Sequence, residues 1–294
     1  ETLRLAYNKT VEFDTVPLER WNSAVSEDAK KRSMGRYDFY VVMSTWIPTF
    51  AEQESIADLT AYLQEFESSY WEDILPQIRD NVATYNNKIY ALPADGDVIL
   101  MMYNDRILKE HGLAPPDSWQ EWIEISKALH GKDLNGDGEA DAGACVVTEP
   151  NGFLAGLFFA FASPFLQTYG SDEGIFFDPN TMTPKFSAPK YDYILDLYKE
   201  MVDHSVHAII GETNWMKANE LFLQEKCALL YNFHGSFKTI LTQMESKDVA
   251  QNLRMKMIPG SEYVLAQDGE SIEKCDPQLC PFADKNGINH APFY

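Results

Sequence analysis

The sequence predicts an α/β protein built in two lobes, and three observations carry that prediction. The first is element order near the N-terminus. Thr2–Ala6 and Val11–Thr15 alternate apolar and polar residues as strands do. Pro17–Arg32 places Trp21, Val25 and Ala29 four apart on one helix face. Tyr37–Met43 is an apolar run of the kind that a buried parallel strand shows, and Ser44-Thr45 caps a helix that begins with Trp46 and Phe50. β-α-β-α order predicts a mostly parallel sheet with helices on both faces. The second observation is the stretch from Asn87 to Leu129. Two apolar runs, Ile89–Leu92 and Val98–Tyr103, flank an acidic Pro/Gly turn. Asn104-Asp105 then caps a short helix, Gly112 stops it, Pro115-Pro116 breaks the chain, and Ser118 opens a helix over Trp119–Leu129. A long strand leaving one sheet and feeding a new helical layer is how a chain crosses between lobes. The third is length: 294 residues suffice for two cores.

The remaining elements follow from periodicity. Leu59–Phe66 and Trp71–Asn81 read as short helices, and Trp122, Ile125 and Leu129 line one face of the helix after Ser118. Cys145–Thr148 reads as a strand, Phe153–Phe161, Tyr191–His204 and Asn214–Leu223 as helices, and Lys226–Phe233 as an apolar strand. Leu253–Ile258, Tyr263–Ala266 and Asn289–Tyr294 carry weaker strand patterns. Gly152–Leu166 comes nearest to a membrane span, but it is too short and is interrupted by Ser163-Pro164. No signal peptide is visible at Glu1, so the numbering is expected to start in a mature or trimmed protein.

The net charge of −21 argues against a nucleic-acid partner or an anionic membrane surface. It fits a solvated acidic surface, or a protein that meets a neutral or cationic ligand. Of the four cysteines, Cys275 and Cys280 enclose a Pro-containing turn that a local disulfide can close, whereas zinc would find only His290 as a further partner. Cys145 and Cys227 sit in apolar, strand-like surroundings, where a disulfide and two buried thiols are equally compatible with the sequence. A Cys275–Cys280 bridge would imply an oxidising compartment.

The ordered series Tyr90-Ala91-Leu92-Pro93, Met102-Tyr103-Asn104, Gly112-Leu113, Pro116, Ser118-Trp119 and Glu121 resembles the family 1 extracellular solute-binding proteins, the maltose-binding type that serves ABC transporters. The resemblance implies a two-lobed periplasmic-binding-protein-like fold of type II. Lobe 1 would be residues 1–100 and lobe 2 residues 101–294, with hinge-crossing segments near 91–104 and 289–294. It also implies a small-molecule ligand, a carbohydrate or polyol, held in an interlobe cleft and passed to an ABC permease outside the cell or in the periplasm, with no catalysis. Two departures are expected to matter. Family members place a further helix between the first two strands, where Ala6-Tyr7-Asn8 here runs straight into Lys9-Thr10-Val11. Residues are therefore expected to be missing after Asn8, and the sequon Asn8-Lys9-Thr10 to be an accident of that junction. The family also crosses back into lobe 1 after about the position of Pro292, whereas this sequence stops at Tyr294, as a C-terminally truncated lobe would. The alternative role is the ligand-sensing ectodomain of a fused membrane receptor, as in solute-binding-like domains of some algae. A glycoside-active enzyme is the third reading.

Three constellations bear on chemistry. Asp133, Asn135, Asp137, Glu139 and Asp141 put oxygen ligands at loop positions 1, 3, 5, 7 and 9, with Gly138 at 6, the pattern that folds around calcium. Ala144 stands at position 12 in place of the usual bidentate Glu, so the structural calcium that the pattern predicts would have modest affinity. The same residues can also make an Asx-rich turn without metal. Asp95 and Asp97 could be paired carboxylates of a hydrolase. The resemblance favours a role as acceptors for ligand hydroxyls. Trp46 (beside Ser44 and Thr45), Trp215, Tyr231 and Phe233 fall at element ends, where α/β folds line their ligand crevices. The candidate ligand set is thus Ser44, Thr45, Trp46, Asp95, Asp97, Trp215, Tyr231 and Phe233. There is no nucleophile elbow, phosphate loop, dinucleotide fingerprint or His-Glu-x-x-His, and the six histidines are scattered.

Overall fold

The helix expected after Pro17 forms, but among the described residues neither Val11–Thr15 nor Tyr37–Met43 joins a sheet. The computed structural model describes residues 10–31, 34–65, 69–94, 96–150, 152–170, 173–243 and 247–291. The chain divides into two compact units, Glu1–Gly96 and Asp97–Tyr294. In the first unit α1 (Leu18–Ala29) buries Val25 and Ala29. The expected strand at Val11–Thr15 is irregular and exposed, and Thr2–Ala6, with Asn8 of the sequon, lies outside the described residues. Among the described residues Tyr37–Met43 has no strand partner. Phe39, Val41 and Met43 are exposed, and Tyr40 and Val42 are half-buried. Helix α1 takes polar groups of this run and of Arg36 before it. Asp28 accepts the backbone N–H groups of Arg36 at 2.8 Å and Tyr37 at 3.2 Å, and Trp21 Nε1 donates to the Val41 carbonyl at 2.8 Å. The Arg36 N–H holds the Asp28 carboxyl down at about 2, with Tyr40, Tyr37 and Lys31 adding to it against the effect of burial.

Ser44–Trp46 forms a 3₁₀ turn that runs into α2 (Ile47–Glu52). Ser44 and Thr45 lie inside that turn and neither caps it with a side-chain hydrogen bond, which corrects the capping role expected for them. Short helices α3 (Thr60–Glu65), α4 (Ser69–Asp73) and α5 (Pro76–Val82) follow, the last two separated where Pro76 can start a helix but not continue one. A hairpin of β1 (Thr84–Tyr85) and β2 (Lys88–Ile89) turns on Asn86 and Asn87, with φ of 48° and 59°, the two positive values that a type I′ turn needs. The strand expected over Ile89–Leu92 ends at Ile89.

The second unit is built on β3 (Ile99–Asn104), α6 (Asp105–Glu110), α7 (Trp119–Leu129), β4 (Ala142–Cys145), α8 (Gly152–Leu166), α9 (Tyr191–Asp203), α10 (His207–Ile210), α11 (Trp215–Leu223), β5 (Cys227–Phe233), α12 (Gly235–Gln243), α13 (Lys247–Asn252) and β6 (Leu253–Met257), with a hairpin of β7 (Tyr263–Leu265) and β8 (Ile272–Lys274). The sheet order is β4-β5-β3-β6. Only β4 and β5 are parallel, so the sheet is mixed rather than mostly parallel: β3 lies between β5 and β6, and both run against it. The caps read from sequence are present. Asn104 accepts from the N–H groups of Arg106 and Ile107, and Ser118 and Glu121 form a reciprocal capping box. β4 starts earlier than expected, at Ala142. α8 continues through Pro164, which leaves the Ala160 carbonyl without its helical N–H. Ser163 Oγ donates to that carbonyl at 3.2 Å, and Asn289 Nδ2 donates to the carbonyls of Pro164 and Gln167 at 2.8 Å each. Beyond Asn289, which bridges to Ser261, residues 292–294 of the last expected strand lie outside the described residues.

The core sits between α7, α8 and the sheet. Trp119 meets Phe161 at 4.9 Å and Tyr231 at 5.2 Å between ring centroids. Helix α7 presses so closely on β4 that a Cβ on Gly143 would lie 2.2 Å from the Ser126 carbonyl. Both disulfides form. Cys275–Cys280 closes the turn beside β8, and Cys145–Cys227 joins β4 to β5, which settles the pairing that the sequence leaves open. Among the described residues no helix is long and apolar enough to cross a membrane.

Candidate functional site

Because β4 and β5 are parallel and β3 runs against them, the C-terminal ends of β4 and β5 and the entry to β3 share one sheet edge, with Ile99 opposite Phe233. In α/β units that edge is where side chains can leave the ladder and face a ligand. Three chain segments meet there. After β4, Thr148 is locked to the loop before α11: its N–H donates to the Thr213 carbonyl at 2.8 Å, and its Oγ1 accepts the Thr213 N–H at 3.1 Å. The next residue of that loop, Asn214, caps α11 through the Lys217 N–H at 2.8 Å, which fixes Trp215 as the first helical residue, half-buried against the core. After β5, Phe233 is half-buried and His234 turns the chain into α12. Before β3, Asp97 is exposed.

His234 and the entry to β3 hold each other. The His234 N–H donates to the Val98 carbonyl at 2.8 Å, and the Val98 N–H donates to His234 Nδ1 at 3.1 Å. The Asp97 carboxylate lies 3.6 Å from the same Nδ1. The edge thus gathers a carboxylate, an imidazole, a threonine and two aromatic side chains.

The structure brings Asp97, Trp215 and Phe233 to this edge. Tyr231 does not reach it. Its side chain is 1% exposed and packs against Trp119 and Trp122, so the packing of α7 on β5 holds it in the core and the ligand role expected for it is corrected. Asp95 lies outside the described residues. In the first unit Ser44, Thr45 and Trp46 share the 3₁₀ turn, with the Trp46 ring edge-on to Trp21 at 5.0 Å. His234 and Thr148 were not candidates from sequence. Their only signal there is position directly after an apolar strand. The loop from Asp133 to Asp141 lies before β4, and its hydrogen bonds are mostly internal. Asp133 accepts the N–H groups of Gly136, Asp137 and Gly138 at 2.7, 3.1 and 2.9 Å, and Asp141 accepts that of Leu134 at 2.7 Å.

The chain matches the bacterial extracellular solute-binding protein family over residues 4–265, and it belongs to that family. It is 24% identical over 202 residues to the lipoprotein LipO of Bacillus subtilis, a match that covers 65% of this chain and 38% of LipO. Its fold is similar to that of an ABC transporter solute-binding protein of Agrobacterium vitis solved with D-mannitol, at 18% identity and a TM-score of 0.70, covering 92% of this chain and 61% of that one. A solute-binding protein of Agrobacterium radiobacter solved with ribitol gives a TM-score of 0.73 at 16% identity, over 89% of this chain and 62% of that one. The chain therefore spans less than two thirds of the length of each of these relatives. The fold class is the mixed α/β class of solute-binding proteins, and the family is one of binding proteins that work outside the cytoplasm.

Proposed function

We propose that this chain binds a carbohydrate or polyol as the extracytoplasmic receptor of an ABC-type uptake system. The observation that carries the reading is the sheet edge of the second unit. Asp97 accepts hydrogen bonds from ligand hydroxyls, the His234 imidazole makes another, and the faces of Trp215 and Phe233 cover the C–H surface of the ligand. Membership of the solute-binding family supports the reading, as do the related structures solved with mannitol, ribitol and α-D-tagatose. Two disulfides fit an oxidising compartment. The role is binding and transfer to a permease, without catalysis. A thermal-shift screen against hexitols, pentitols, mono- and disaccharides, amino acids and polyamines tests it, because a ligand of the folded state raises the midpoint. A rise with a sugar or polyol that is reduced in Trp215→Ala is the expected result. Rises confined to amino acids or polyamines would refute the ligand class.

A further inference from the structure

The acidic loop is the motif that ligand binding leaves unused. Its sequence pattern calls for a divalent cation, yet a cation of the chain itself stands among its carboxylates. The Lys226 ammonium donates to Asp137, lies 3.3 Å from Glu139 Oε2 and 3.2 Å from Asp141 Oδ1, and is only 20% exposed. We propose that Lys226 is the built-in counter-ion of this loop: its ammonium takes the place that the pattern assigns to calcium, so the loop is held without metal and accepts a divalent cation only when Lys226 is removed.

Six observations support this. Asp141 is buried, and an ionised carboxylate away from water needs a partner at contact distance. Lys226 is that partner, while the other Asp141 oxygen is spent on the Leu134 N–H. The ammonium is delivered from a rigid base. The Lys226 carbonyl accepts the Ala142 N–H at 3.1 Å, and the next residue, Cys227, is bonded to Cys145 in the neighbouring strand. The loop is tied to the same turn by Asn135 Nδ2, which donates to the Gln224 carbonyl at 3.0 Å. The oxygens that calcium would need are otherwise engaged. Asp133 holds three backbone N–H groups, Asn135 Oδ1 holds that of Asp137 at 3.1 Å, and Ala144 stands at the position of the bidentate Glu. Among the described residues no three acidic, His or Cys side chains converge as a metal-ligand set. The Lys226 ammonium also holds the Asp137 carboxyl below its ordinary range.

The test is thermal unfolding of the whole chain in EGTA, calcium chloride and magnesium chloride. The wild type is expected to keep one midpoint in all three. Lys226→Met is expected to melt lower in EGTA by about 2–4 °C and to recover in millimolar calcium more than in magnesium, which demands a tighter shell. Lys226→Met/Asp137→Asn carries one charge fewer in the loop. It is expected to melt higher than Lys226→Met in EGTA and to ignore calcium. A wild type that loses stability in EGTA, or that binds calcium by titration calorimetry, overturns the proposal without any variant. So does a Lys226→Met protein that melts like the wild type, or that is destabilised and unmoved by calcium. If Lys226→Met fails to fold, the wild-type titration and the double variant decide: a double variant that still responds to calcium refutes the assignment.

Discussion

Two apolar runs met opposite fates. Tyr37–Met43 reads as a buried strand and Lys226–Phe233 as an apolar strand. The second became β5, a central strand with β4 on one side, β3 on the other and a disulfide to β4. The first has no strand partner among the described residues, with Phe39 84% exposed, while side chains of α1 take backbone groups of the run and of Arg36 before it. Tyr37–Met43 and Cys227–Phe233 are both apolar with a single polar residue. The difference among the described residues lies in the partner, because a strand buries its polar backbone when another backbone supplies the ladder.

That contrast can be broken by mutation. The largest effect is expected in the core against which β5 packs: Trp119→Ala should cost about 3–5 kcal/mol in denaturant unfolding, whereas Phe39→Ala should stay within about 0.5 kcal/mol. Equal costs would mean that the 37–43 run is packed after all. Next, replacing Cys145 and Cys227 together by Ala should cost about 2–4 kcal/mol in denaturant unfolding.

The two units should also fail at opposite ends of the pH scale. Burial pushes the Tyr198 hydroxyl, beside Tyr231 in the second unit's core, up from 10.0 to about 12. A raised pKa stabilises below the unfolded value and is lost as pH rises through the folded one. The second unit should therefore lose on the order of 2 kcal/mol between about pH 10 and 12, and Tyr198→Phe should lose less. Asp28 is held down from 3.8 to about 2, so its contribution to the first unit is present above the unfolded value and fades as the pH falls toward 2. Asp28→Asn should remove that acid limb in fluorescence-detected unfolding. The smallest effect concerns the site itself. Asp97→Asn should weaken polyol binding about tenfold, or about 1.4 kcal/mol by calorimetry, and leave the midpoint unchanged because Asp97 is exposed. A lowered midpoint would place Asp97 in the fold rather than at the ligand.

Local chemistry was legible in the chain itself. The caps at Asn104 and Ser118, the stop at Gly112, the helix Trp119–Leu129 and the apolar run of β5 all rest on neighbours within a few residues, so a linear reading reaches them. The Cys275–Cys280 bridge, five residues apart, is local in the same sense. The family series from Tyr90 to Glu121 carried the fold class. What the sequence could not determine were pairings over long separations. Cys145 meets Cys227 across 82 residues, Val98 hydrogen-bonds His234 across 136, and Lys226 enters the Asp137 loop across 89. Each depends on which strands lie side by side and in which register. That register sent Tyr231 into the core and Phe233 to the sheet edge two residues later, where β5 ends. Side-chain direction alternates along a strand, but only the sheet's packing decides which face is inside and where the ladder stops.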